Sequence, residues 1–346
     1  MSEASLGRLR DHTVASSSEV SIDDDAREAV DVAVGSRLRP LTVRVTGRPG
    51  VGKSAIVAVL ESTRLDADGL DVRVREDGVV DSAESDVLVF VIAGGVSPVD
   101  TAFLGTSSAG ARDGTVVVLT KADTLDDPAV AATAASEQLT RTVVPVMGSI
   151  AAGLRSKGVT LVLADVRAVA ASEVGSADLL TVDRFFAADI ALSTRRREAL
   201  IESIELRGVA LLVDMLRQRT DASDGDALRE LAEASGVAPM LAAVATAVSA
   251  AAASRDADLH RNLQQIAARH RKVRGAVELY LASDEAVAAD MRCAALSLGI
   301  PIETGSQQVV EEQVALWKQR ATAAGDADVR RSALALCRGY VRMLPR

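Results

Sequence analysis

Apolar residues follow two regimes along the chain. Up to about Met147 they come in short dense runs separated by turn residues, and beyond about Arg184 they recur at three- and four-residue intervals. The first regime predicts strands over Leu41–Thr46, Asp71–Glu76, Asp86–Ala93, Gly114–Thr120 and Thr142–Met147, with helices over Lys53–Thr63, Pro98–Leu104 and Pro128–Thr140 between them. Val87–Ala93 is apolar throughout, the pattern of a strand covered on both faces of a parallel sheet. Strands alternating with helical stretches imply right-handed crossovers. Asp66–Leu70 reads as a loop, Asp77–Gly78 as a turn, and Gly148–Gly153 as the loop leaving the last strand.

The second regime predicts helices. Leu200, Ile201, Ile204, Leu211, Leu212 and Met215 share one stripe; Leu259, Leu263, Ile266, Val273, Val277 and Leu281 share another. Further helices are expected over Asp284–Leu298, Ser306–Ala323 and Asp326–Met343. Ser235-Gly236 ends a short helix, and Pro239 falls in the first turn of the next, where its missing N–H costs little. The uncharged run Ala234–Ser254 is long enough to span a bilayer, but its Ala-rich composition reads as a buried helix. The expected fold is thus a mostly parallel α/β sheet with flanking helices, followed by an all-α bundle. The boundaries are 1–36 for a loose tail and short helix, 37–180 for the sheet and 181–346 for the helices.

Composition narrows the function. The 346 residues are 48% hydrophobic but only 2% aromatic, so helices should pack through small residues. A net charge of −9 argues against non-specific nucleic-acid binding, and no nucleic-acid partner is expected. Cys293 and Cys337 form no disulfide framework, and residues 1–10 hold no apolar leader, so a cytoplasmic setting is expected. The three histidines have no metal-ligand spacing. Trp317 reads as a packing anchor, and Arg195-Arg196-Arg197 as a solvated helix face or a docking site for a membrane surface or an acidic partner.

The chemistry concentrates in Gly47-Arg48-Pro49-Gly50-Val51-Gly52-Lys53-Ser54-Ala55. This G-x-x-x-x-G-K-S run sits between a strand and a helix. Its glycines allow successive N–H groups to converge on phosphate oxygens, with the positive end of the following helix behind them. Lys53 would reach the β- and γ-phosphates, and the Ser54 hydroxyl would ligate Mg²⁺. A second signature, Thr120-Lys121-Ala122-Asp123, ends a buried strand, where α/β sheets bind ligands. Asp123 can accept from the ring N–H and exocyclic amine of guanine, whereas adenine would leave it unpaired. Lys121 would lie along the base.

With Val144-Pro145-Val146-Met147-Gly148-Ser149, these segments resemble the first, fourth and fifth motifs of translation-factor-class P-loop GTPases. The resemblance implies a G domain binding GTP or GDP with Mg²⁺, and a base contact from Gly148 and Ser149. Arg197–Gly208 and Leu231–Val237 are similar to segments that follow the GTPase domain in actinobacterial dynamin-like proteins. That likeness implies a homodimer or a related GTPase partner, and peripheral contact with the inner face of the cell membrane.

The sequence departs from the GTPase pattern after Ser54. Only 22 residues separate Ser54 from Asp77, and the sole threonine among them, Thr63, falls at a helix end. No Asp-x-x-Gly motif follows the predicted strands Asp71–Glu76 and Asp86–Ala93; Asp77 and Asp81 are the candidates for that acidic role, with Asp77 as a metal ligand through water. No glutamine is placed to orient an attacking water. Slow hydrolysis of GTP is therefore expected. The alternatives are a nucleotide-binding scaffold without turnover, or a P-loop ATPase or small-molecule kinase.

Overall fold

The computed structural model describes residues 6, 7, 9, 24–67, 69–76, 85–106, 114–155 and 159–345. Five parallel strands form its sheet, in the order β2-β1-β3-β4-β5. They are β1 (Leu41–Gly47), β2 (Val72–Glu76), β3 (Val87–Ala93), β4 (Thr115–Thr120) and β5 (Val143–Pro145). The sequence pattern explains the order. β3 is buried along nearly its whole length and lies centrally. β2 lies at an edge, with Val72 and Val74 half-buried and Arg73 and Arg75 exposed. Such charges discourage further strand pairing.

The first helices are α1 (Asp24–Leu38), α2 (Lys53–Glu61), α3 (Pro98–Thr106) and α4 (Pro128–Leu139). One sheet face presents Phe90, Ile92, Val117, Leu119 and Val143 to α3 and α4, through Leu104, Ala132, Ala135 and Leu139. Phe90 stacks on Phe103 with centroids 5.0 Å apart. A second core joins α5 (Gly148–Gly153), α6 (Val159–Ala171), α7 (Val182–Ala187), α8 (Thr194–Gln218) and α9 (Asp224–Ala234) around Ile150, Val166, Phe185, Leu200, Leu212 and Leu231. The remaining helices are α10 (Val237–Arg269), α11 (Arg274–Leu281), α12 (Asp284–Ser297), α13 (Gln307–Ala323) and α14 (Ala327–Met343).

Contacts divide the chain into two compact units. One holds residues 42–65 and 73–247; the other holds 1–41, 66–72 and 248–346. The helices from α7 to α9 thus group with the sheet. In the second unit, α1 packs through Val30 and Val34 with Leu259, Leu263 and Val277. The Arg37–Asp256 ion pair is buried there, with both side chains 1% exposed. Met291, Trp317, Leu336 and Tyr340 build a separate core from α12, α13 and α14. Trp317 is the packing anchor its sequence context suggested, with Arg320 over its ring at 4.6 Å.

Several local expectations are corrected. Leu6 and Leu9 are buried with α1, so a uniformly loose tail is wrong at those two positions. Gly148–Gly153 is a helix rather than an exit loop, because burial of Ile150 and Ala151 overrides the weak propensity of its flanking glycines. No element was expected over α6. The pattern of α8 predicts one helix, but Glu205 interrupts it at φ 55°, ψ 168°, beside Ser203, whose carbonyl meets the backbone at Gly153. Helix α10 is buried along a stripe that includes Met240, Val244 and Val248 rather than all round; Ala242, Thr246 and Ser249 are exposed. Its length and composition alone would also suit a membrane span.

Candidate functional site

The ends of four strands are level. Gly47 pairs with Val91, Ala93 with Thr120, and Leu119 with Pro145. Everything leaving these ends therefore emerges along one edge of the sheet.

The glycine-rich loop leaves β1 there. A Cβ at Gly47 would lie 2.3 Å from the Val91 carbonyl oxygen, so this position admits no side chain. Gly50 and Gly52 have φ of 75° and 90°, and Gly52 caps α2. Lys53, the first residue of α2, folds back over the loop. Its Nζ donates to the carbonyls of Gly47 (3.2 Å) and Arg48 (3.1 Å). An ammonium has three protons; the third has no protein acceptor among the described residues. Ser54 is exposed, and its hydroxyl makes no protein hydrogen bond among the described residues. Pro49 and Gly50 are also exposed, whereas Val51 packs inward at 4% exposure and Ala55 is half-buried.

The loop is held from two sides. Thr120, 1% exposed at the end of β4, directs its hydroxyl at the Val51 carbonyl and at the Ile92 carbonyl 3.0 Å away. Thr120 therefore braces the loop from within. On the other side, Arg48 Nε donates to Asp100 Oδ1 at 3.1 Å. Asp100 is fully buried in the first turn of α3, and its Oδ2 accepts from the Ser97 N–H at 2.9 Å. Both Asp100 oxygens are thereby engaged with protein, and the buried carboxylate anchors Arg48 of the loop to the start of α3. Sequence reasoning missed Asp100. Ser97-Pro98-Val99-Asp100 carries the spacing of a capping box, a signal for the helix start but not for the arginine 52 residues away.

Beyond Thr120 the chain makes a short turn, with Lys121 at φ 56°. Ala122 is buried, while Lys121 is exposed and Asp123 half-buried. The Asp123 carboxylate has no protein hydrogen bond among the described residues. Gly148 and Ser149 begin α5 beyond the end of β5. A Cβ at Gly148 would lie 3.3 Å from the Ala55 side chain, so this segment and the start of α2 are neighbours. Thus the structure brings Gly47–Ala55, Thr120–Asp123 and Gly148–Ser149 to one edge.

Asp77 and Asp81 lie outside the described residues. Thr63 donates its hydroxyl to the Val59 carbonyl, closing the far end of α2 rather than facing the loop. Among the described residues, no group of three or more His, Cys, Asp or Glu side chains could hold a metal ion.

The arginine cluster is not a solvated face throughout. Arg197 is buried, and its guanidinium donates to the carbonyls of Phe185, Phe186, Ala188, Ile190 and Leu192. Arg196 pairs with Asp165, and this bond raises its pKa further above the usual arginine range. No protein-family model matches the chain, and no curated protein matches it.

Proposed function

We propose that the chain is a guanine-nucleotide-binding protein with a P-loop G domain, and that it hydrolyses GTP slowly. The observation that carries this reading is the Thr120 hydroxyl directed at the Val51 carbonyl, which joins the two sequence signatures into one site. Lys53 and the loop N–H groups suit a polyphosphate. Asp123 offers two carboxylate oxygens, without protein partners among the described residues, to the two adjacent N–H groups of guanine. Lys121, exposed beside it, suits the face of a base.

Mg²⁺ fits one described residue: the Ser54 hydroxyl would hold it, with phosphate oxygens and water completing the shell. Asp77 remains the proposed acidic ligand through water. The ion would neutralise charge on the transferring phosphoryl group.

Slow turnover follows from the connection between α2 and β2. It covers residues 62–71, with no additional strand among the described residues. A switch threonine has no place in it, since Thr63 is bonded back to α2. A second copy of the chain or a related GTPase would then supply the missing groups. A cytoplasmic protein with peripheral membrane contact completes this reading. The same short connection favours the second reading, a scaffold that binds nucleotide without turnover.

Calorimetry with Mg²⁺ should show GTP and GDP binding while ATP fails to compete at equal concentration. Effective competition by ATP would sink the guanine assignment. Phosphate release, measured with and without liposomes, separates the readings: slow release supports the GTPase and none supports the scaffold.

A further inference from the structure

The junction of α9 and α10 lies against the end of β5. Ser235 is fully buried, and its carbonyl accepts the Met147 N–H at 2.9 Å. Gly236 follows with φ of 68°, and a Cβ there would lie 2.1 Å from the Pro145 carbonyl oxygen. The junction is hydrogen-bonded within itself. Ser235 N–H donates to Leu231 O at 2.8 Å, and its hydroxyl donates to Ala232 O at 2.8 Å while accepting the Val237 N–H at 3.3 Å. On the other side, Val146 N–H donates to Leu119 O, one residue before Thr120. Gly148 then abuts Ala55, next to Ser54.

We propose that Ser235 and Gly236 are positioning residues for base recognition. They fix the Pro145–Met147 backbone, and through it the place of Gly148 and Ser149 beside the nucleotide. This inference rests on the guanine-nucleotide reading. The reason is geometric: Met147 has one N–H, its acceptor is the Ser235 carbonyl, and only glycine permits Gly236 to approach Pro145 so closely. Helix α10 starts at the next residue, so a shift at the base end of the site is transmitted to the first turn of a 33-residue helix.

The test is Gly236→Ala, with Gly299→Ala as control. Gly299 has nearly the same backbone conformation, φ 65°, but a Cβ there meets nothing within 4 Å. Gly236→Ala should lower the ratio of GTP to ATP affinity about tenfold, a usual size for coupling between sites. Gly299→Ala should leave that ratio unchanged. Should Gly236→Ala not fold, amide exchange on the wild-type chain serves instead: saturating GDP should slow exchange over residues 233–240 together with 143–150. An unchanged ratio in folded Gly236→Ala, or GDP protection confined to 143–150, overturns the proposal. If the wild-type chain does not select GTP over ATP, the guanine reading fails and this inference with it. Selective wild-type binding with an unaltered Gly236→Ala ratio rejects the positioning role alone.

Discussion

Lys53 and Arg197 both point a cation at backbone carbonyls, and they differ in how completely it is satisfied. Arg197 is buried and donates to five carbonyl oxygens at 2.8–3.1 Å. Buried among these carbonyls, its guanidinium holds the chain from Phe185 to Leu192 against α8. Lys53 is partly exposed and donates to two carbonyls. In the proposed reading, the difference separates a structural cation from one that would meet a phosphate. Sequence makes both basic; only the acceptors around each tell them apart.

Arg197→Met offers the largest break in this comparison. It leaves five carbonyls without their donor, and charge-assisted hydrogen bonds contribute about 1.5–3 kcal/mol each without being additive. A stability loss of about 3 kcal/mol or more is expected in denaturant unfolding. A loss below about 0.5 kcal/mol, ordinary for a surface change, would show that the carbonyl cage is not structural.

Lys53→Ala should do the opposite. Nucleotide affinity should fall about 100-fold, roughly 2.7 kcal/mol, while the unfolding midpoint barely moves. If the midpoint falls as far as in Arg197→Met, the two cations are of one kind and the distinction collapses.

Asp100→Asn is an intermediate case. It keeps an acceptor for the Ser97 N–H but removes the charge opposite Arg48, whose carbonyl in turn accepts from Lys53. A modest loss of affinity, about tenfold or 1.4 kcal/mol, is expected by titration. Unchanged affinity would mean that the Arg48–Asp100 pair supports the fold without positioning the loop.

What was legible in the sequence was what neighbouring residues specify among themselves. Gly47–Ser54 could be read because loop conformation and helix start are written within one short stretch. β1, β3, β4 and β5 could be read because their apolar runs are continuous or nearly so, and β2 because Val72 and Val74 alternate with polar residues. Helix α5 could not, since Gly148 and Gly153 argue against a helix and the burial of Ile150 and Ala151 is supplied by distant elements. The partners of Asp100, Arg197 and Ser235 were equally hidden. Each depends on a contact between elements that no local pattern encodes: Arg48 with α3, the α7–α8 connection with α8, Met147 with the α9–α10 junction. Thr120 was legible by position, but its bracing of Val51 emerged only with the fold.

The central claim is that one edge of the sheet binds a nucleotide and reads its base through Asp123. The most direct measurement is calorimetric titration of GTP and ATP into the wild-type chain and Asp123→Ala, both with Mg²⁺. The wild-type chain should prefer GTP by about 10²–10⁴-fold, as expected where a site's polar groups would otherwise remain unpaired. Asp123→Ala should lose that preference while retaining weak binding of both nucleotides through the Lys53 loop. Equal wild-type affinity for GTP and ATP, or a preference that survives Asp123→Ala intact, would contradict it.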